Sequence, residues 1–260
     1  MATRRNSSLV DVAAREGAVL ALLDEWPWDA GGVLIGEYAI SAYGSPRYSV
    51  DVDIVVPAKA APGIRSWLRN VGFERTAHAV PNPQNYEGQV ERFLSKAITL
   101  DLLAGAVRDR EAMVDIPEKW ISKDCRRTVL ETLSGRTSRP ISIARPEALW
   151  ALKLQSGRDL DLTDLFVISD HPADLGEVRR LFERLATNSL SRKLQCVRSK
   201  LRERRLYEDS LSRRQLGSPD RPQNVKRWER FILRVESIVG PLARTGPTGT
   251  LTAHDSGHAD

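Results

Sequence analysis

The chain has 260 residues, of which 41% are hydrophobic and 28% charged, and its net charge is +5. That composition fits a globular protein with one large domain or two small ones. No run approaches the roughly 18 apolar residues needed to cross a bilayer, so no membrane partner is expected.

The first predicted element is a helix from Ser8 to Trp26. Leu9, Val12, Ala13, Val19, Leu20 and Leu23 fall at helical spacing, and Ser8-x-x-Asp11 has the form of a capping box. Val33-Leu34-Ile35 reads as a short apolar strand ending at Gly36, and Glu37 to Tyr43 as a short helix closed by Gly44. A loop, 45–49, leads into Val50–Val56, where Asp51 and Asp53 alternate with Val50, Val52 and Ile54 and so share one strand face. Pro62 opens the next helix, with Ile64, Trp67, Leu68 and Val71 along one side. Phe73 to Leu94 suits strand and loop around a flexible PNPQNYEG centre, and Ile98 to Leu103 is a strand interrupted by one acid, Asp101. Two strands are predicted within 128–143 around Ser134-Gly135.

Beyond Ala144-Arg145-Pro146 the pattern turns helical. Helices are expected over PEALWALKLQS from Pro146, from Arg158 to about Ser169, over Ala173–Tyr207 and over Val225–Val239, before a Gly/Thr/His-rich tail with the composition of a disordered segment. The expected fold class is therefore α+β or α/β. Residues 1–145 would form a small mixed sheet with flanking helices, 146–240 a mostly helical C-terminal part, and 241–260 a tail.

Charge is uneven along the chain. Residues 192–230 hold 13 Lys and Arg against 5 Asp and Glu, a net +8, which leaves the remainder at −3. Such a segment suits either a polyanion partner such as RNA or a solvated helical face. Cys125 and Cys196, the only cysteines, are far apart in sequence and read as free thiols. The opening MATRRNSSLVDVAAREG lacks the apolar core of a signal peptide. A cytoplasmic location is the expectation. The four histidines show no metal-ligand spacing with other donors, and no dinucleotide, P-loop or nucleophile-elbow motif occurs.

The acids carry the chemical signal. Two carboxylates on one strand face repel each other, and Asp101 between Leu100 and Leu102 is costly unless paired or bound to a cation. Three strand carboxylates converging on one sheet edge would suit Mg²⁺, which favours carboxylate oxygens together with substrate phosphates. Taken alone, Asp-x-Asp better suits the solvent face of an antiparallel strand, and it is the Gly-ended strand and helix before it and the third acid after it that favour the site. Gly36 before a helix start can present backbone N–H groups to phosphate. Lys153, the lone cation of its helix, either reaches water or points into a cleft. Arg158-x-x-Asp161-x-x-Asp164 shares one helix face, and its spacing alone favours a surface ion-pair ladder.

LIGEYAISAYGSPRYSVDVDIVV, Leu34 to Val56, resembles the core motif of the nucleotidyltransferase superfamily that includes DNA polymerase beta, in which a Gly-Gly or Gly-Ser turn and a helix precede Asp-x-Asp. ITLDLLAG looks like the strand bearing that superfamily's third metal-binding acid, here Asp101. RPEALWALKLQSGRDLDLTDL, Arg145 to Leu165, is similar to the later motifs of AbiEii-type abortive-infection toxins, with Lys153, Asp161 and Asp164 matching by position. The resemblance covers about residues 31 to 168. It implies Mg²⁺-dependent transfer of a nucleoside monophosphate from a nucleoside triphosphate to an acceptor hydroxyl, in the toxins typically of tRNA or another translation component, with an antitoxin partner. It further implies catalytic and metal roles for Asp51, Asp53 and Asp101, and nucleotide contacts from Gly36, Glu37, Arg47, Lys153 and Asp161. Glu37 departs from the pattern by standing where the second small residue is usual. There it would repel nucleotide, bind metal, or point away as the first helical residue. The same fold without catalysis, as a binding or regulatory protein, and an antibiotic-modifying nucleotidyltransferase are the alternatives.

Overall fold

The structure is a computed structural model that describes residues 3–44, 46, 49, 51–76, 89–95, 98–109, 111, 113–213 and 216–242. Arg47, the segment 81–88 and the tail 245–260 lie outside the described residues. The fold is a mixed α/β sheet followed by a helical C-terminal part, as the sequence predicts.

Helix α1 spans Thr3–Glu25, so Ser8 sits inside it and is not its cap. Strand β1 (Val33–Ile35) runs directly into helix α2 (Gly36–Ser41), and β2 (Asp51–Val56) returns antiparallel beside β1. Helix α3 (Ala61–Asn70) has Pro62 in its first turn and buries Ile64 and Leu68. Strands β3 (Glu74–Arg75), β4 (Gln89–Leu94) and β5 (Thr99–Ala104) complete one wing. The hairpin of β6 (Ala106–Asp109) and β7 (Val114–Pro117) and the single turn α4 (Glu118–Ile121) were not evident in the sequence. Their strands mix charged and apolar residues, with Arg108 forked onto Asp115 across the hairpin at 2.6 and 3.2 Å. Strands β8 (Arg126–Thr128) and β9 (Ile141–Ile143) pair antiparallel; of the two strands expected within 128–143, β9 lies there and β8 begins earlier, reaching it only at Thr128.

The main sheet has the order β3-β4-β5-β2-β1-β9-β8. Its two parallel pairings, β2 with β5 and β1 with β9, sit among antiparallel ones. Helix α1 is tied to the β8–β9 connection through carboxylates. Asp24 accepts the backbone N–H of Ser138 at 2.7 Å, and buried Glu16 accepts that of Ser134 at 2.6 Å.

The helical part comprises α5 (Pro146–Ser156), α6 (Asp159–Ile168), α7 (Leu175–Arg184), α8 (Asn188–Lys200), α9 (Arg204–Arg213) and α10 (Pro222–Leu242). The stretch expected to be helical from 173 to 207 is broken into α7, α8 and the start of α9. The breaks have local causes: the Asp174 and Thr187 side chains cap α7 and α8 by accepting the N–H groups of Glu177 and Leu190. The switch at 144–146 is held from several sides. Tyr43 donates its hydroxyl to the Ala144 carbonyl at 2.9 Å, and Arg145 forks onto Glu177 at 2.6 Å while stacking over Trp120.

Trp150, Phe166, Trp228 and Phe231 weld α5, α6 and α10 together, with ring centroids 5.1 to 6.0 Å apart in tilted and edge-on arrangements. Gly44, just beyond α2, lies so close to Val167 that a Cβ there would overlap it, which brings α6 down on α2. Phe231 is fully buried at the centre of the aromatic cluster. Phe231→Ala is expected to lower stability by about 3–5 kcal/mol, read as a fall in the urea midpoint.

Candidate active site

Register builds the site. In the parallel pairing of β2 with β5, Asp53 lies directly beside Asp101 and Asp51 beside Thr99. Register neighbours in a sheet point the same way, and Asp51 and Asp53 are two residues apart on one strand. All three predicted carboxylates therefore share one face. Their electrostatics record the crowding. Burial, then Asp101 and Asp51, push the Asp53 carboxyl up to about 6, with Lys153 and Arg158 only partly opposing them. Burial also raises Asp51; Arg92 opposes this and Asp101 adds to it.

Gly36 makes room for this arrangement. Ile35 is the register partner of Asp53, so the chain turns into α2 directly against that carboxylate. A Cβ at position 36 would collide with the Asp53 side chain, and the Gly36 backbone has φ +69°, in the left-handed region. Gly36 and Asp53 open onto a cleft of about 260 Å³ whose other walls come from α5, the β6 strand and the start of α6, including Leu152, Lys153, Arg108 and Asp161.

Lys153 and the Arg158-x-x-Asp161-x-x-Asp164 acids form a buried network. The Lys153 ammonium donates to Asp161 at 2.8 Å and to Asp164 at 2.6 Å, and all three side chains are nearly sealed from solvent. Asp161 also accepts from Ser156 at 2.7 Å and Arg158 at 2.6 Å. Burial by itself would raise the Asp161 carboxyl, but Lys153 and the hydrogen bonds from Arg158, Lys153 and Ser156 outweigh it and hold the group at about 2. For Lys153 burial pulls the other way and is overcome by Asp164 and Asp161, so its pKa is raised. The surface-ladder reading of these residues is thus corrected. Helix α6 is buried from Asp161 to Ile168, and among Lys153, Arg158, Asp161 and Asp164 only the Arg158 side chain, 74% exposed, reaches water. Lys153 lines the cleft with its charge already engaged.

Other expected contributors are placed differently. Glu37 is buried in the first turn of α2, where the backbone dipole favours an acid, and it is absent from the cleft lining. Much of the basic 192–230 segment is neutralised within the chain. Lys193 pairs with Asp109, Arg198 with Glu236, Lys200 with Asp159 and Arg227 with Asp170, which bolts α8 and α10 to neighbouring elements. Arg204 and Arg205 pair along their own helix with Glu208 and Asp209. The residue that sequence reasoning missed is Arg92. It stands opposite Asp101 in the β4–β5 register and grips that carboxylate with both arms of its fork. Its alternation within QVERFL was legible, but its strand partner was not.

Among the described residues, no group of three or more His, Cys, Asp or Glu side chains is already arranged to hold a metal ion. The donor chemistry nonetheless fits Mg²⁺: mutually repelling carboxylates on one face, with Asp53 open to the cleft. What closes the third donor is the Arg92 fork on Asp101.

No family model matches the sequence, and no curated protein matches it. Solved structures do align with it. One is an H. pylori protein described only provisionally as a nucleotidyltransferase, at 18% identity over 91% of this chain and 98% of that one, with a TM-score of 0.39. JHP933 from Helicobacter pylori aligns at 18% identity over 91% and 94%, with a TM-score of 0.36. The lincosamide antibiotic adenylyltransferase LnuA, lincomycin-bound, aligns at 13% over 52% and 81%, with a TM-score of 0.32. At such identities and scores these likenesses assign neither family nor activity, and the functional reading rests on the chain's own residues.

Two outcomes follow from the electrostatics. Lys153→Met removes the cation shared by two buried carboxylates, of which Asp161 keeps Arg158, and is expected to cost about 3–5 kcal/mol, measured by chemical denaturation at neutral pH. Asp53→Asn acts oppositely. A carboxyl raised to about 6 in the folded state binds protons more tightly than in the unfolded chain, so its ionisation destabilises the fold as pH rises from about 4 through 6. The variant should match wild type near pH 4 and exceed it by on the order of 2 kcal/mol at pH 8, seen as a pH-dependent gap in melting temperature.

Proposed function

We propose that this chain is a nucleotidyltransferase that moves a nucleoside monophosphate from a nucleoside triphosphate to an acceptor hydroxyl. The observation that carries the reading is the Asp53 carboxylate, crowded by Asp51 and Asp101 and held against Gly36 at the mouth of the cleft. Asp51, Asp53 and Asp101 would hold Mg²⁺, which when bound neutralises triphosphate charge and favours ionisation of the acceptor hydroxyl. The absent side chain at Gly36 keeps the approach to Asp53 open for phosphate oxygens. Asp161 and Asp164 hold the Lys153 ammonium in place at the cleft lining, and because they already balance its charge, any phosphate contact it makes would be shared with these acids. Asp53 must lose its proton to take up a cation, so protons compete with Mg²⁺ and its apparent affinity should fall as pH drops below about 6, measured by titration of the metal at several pH values.

The acceptor is the finer question. RNA steering by the basic segment is weakened by the ion pairs of Lys193, Arg198, Lys200 and Arg227, and a toxin role with an antitoxin partner rests on the sequence resemblance alone. The test is to incubate the protein with Mg²⁺ and each labelled nucleoside triphosphate, in parallel with total tRNA and with hydroxyl-bearing antibiotics. Label transfer should drop at least about a hundredfold in Asp53→Asn. Transfer to tRNA should also fall steeply with salt. No transfer to any acceptor and no nucleotide binding would sink the reading and leave the non-catalytic alternative.

A further inference from the structure

Across β4, β5 and β2 a single row of register partners reads Arg92, Asp101, Asp53. Arg92 Nε donates to Asp101 Oδ1 at 2.8 Å and Nη2 to Oδ2 at 2.7 Å, so both oxygens of Asp101 are engaged by one guanidinium. A carboxylate gripped in this way is a poor ligand for a cation, because its donor lone pairs already face a positive fork. The clasp is nevertheless built to open. The Arg92 side chain is 50% exposed and can rotate into water, unlike Lys153, which is sealed between two buried acids.

We propose that Arg92 is the resident counter-cation of the acidic row, and that a divalent cation displaces it from Asp101. Resting on the nucleotidyltransferase reading, this deepens it: the apo site is balanced by an internal charge, and the ion completes its ligand set only by releasing that charge. Arg92 thereby sets the cation concentration at which the third carboxylate becomes available. It is a positioning residue, acting through Asp101.

The probe is Mn²⁺ alone, added to the full chain without nucleotide and followed by the electron paramagnetic resonance of the free ion. Arg92→Ala should bind Mn²⁺ about fivefold more tightly than wild type, the scale of one exposed ion pair. Arg92→Lys, which keeps the charge but loses the fork, should fall between them. Adding Asp101→Asn to Arg92→Ala should remove the gain. Equal or weaker binding by Arg92→Ala, with wild-type binding still dependent on Asp53, overturns the clasp and leaves the proposed function standing. Absence of Mn²⁺ binding in wild type and Arg92→Ala alike also overturns the clasp, and the proposed function then stands or falls by the label-transfer test.

Discussion

Repulsion between carboxylates on neighbouring strands is the constraint on which the site depends. The parallel register of β2 and β5 puts Asp53 against Asp101, and nothing in strand geometry relieves that contact. The surroundings relieve it unequally. Arg92 neutralises Asp101 directly from β4, whereas Asp53 feels Lys153 and Arg158 only at a distance and stays raised. Asp53 is therefore the electrostatically unfinished residue of the row, and it is the one that opens onto the cleft.

The second half of the chain stabilises the opposite wall. Helices α5 and α6 meet through an aromatic cluster and through Lys153 with its two acids, one contact apolar and the other ionic. Burying a lysine is costly unless its partners are well placed, and here both are supplied by one neighbouring helix. The distant ion pairs from α8 and α10 work in the same direction. They use acids such as Asp109, Asp159 and Asp170, which lie outside the basic segment and contribute to the acidic balance of the rest of the chain.

Much of this was legible in the sequence because it is local. Alternation in VDVDIVV and ITLDLL placed the acids on strands, Gly36 marked the end of β1, and Pro146 marked the start of α5. The pairings between distant segments were not legible. Register decides that Arg92 meets Asp101, and no feature of QVERFL names its partner. Spacing alone favours a solvated ladder for Asp161 and Asp164, because three-residue spacing is shared by solvated and buried helices. The apolar surroundings Leu160, Leu162, Leu165 and Phe166 were the better guide. The basic segment misled in the opposite direction, since a count of charges cannot tell which of them are already paired.

Gly36 carries two separate demands, and they differ in what could satisfy them. The collision with Asp53 is a matter of space, which a shorter residue at position 53 would relieve. The left-handed backbone is a matter of torsion, which no change elsewhere in the cleft would relieve. Position 36 is thus closed to rescue by a second substitution, so in a library of variants it should stand out as intolerant even where its neighbours exchange freely.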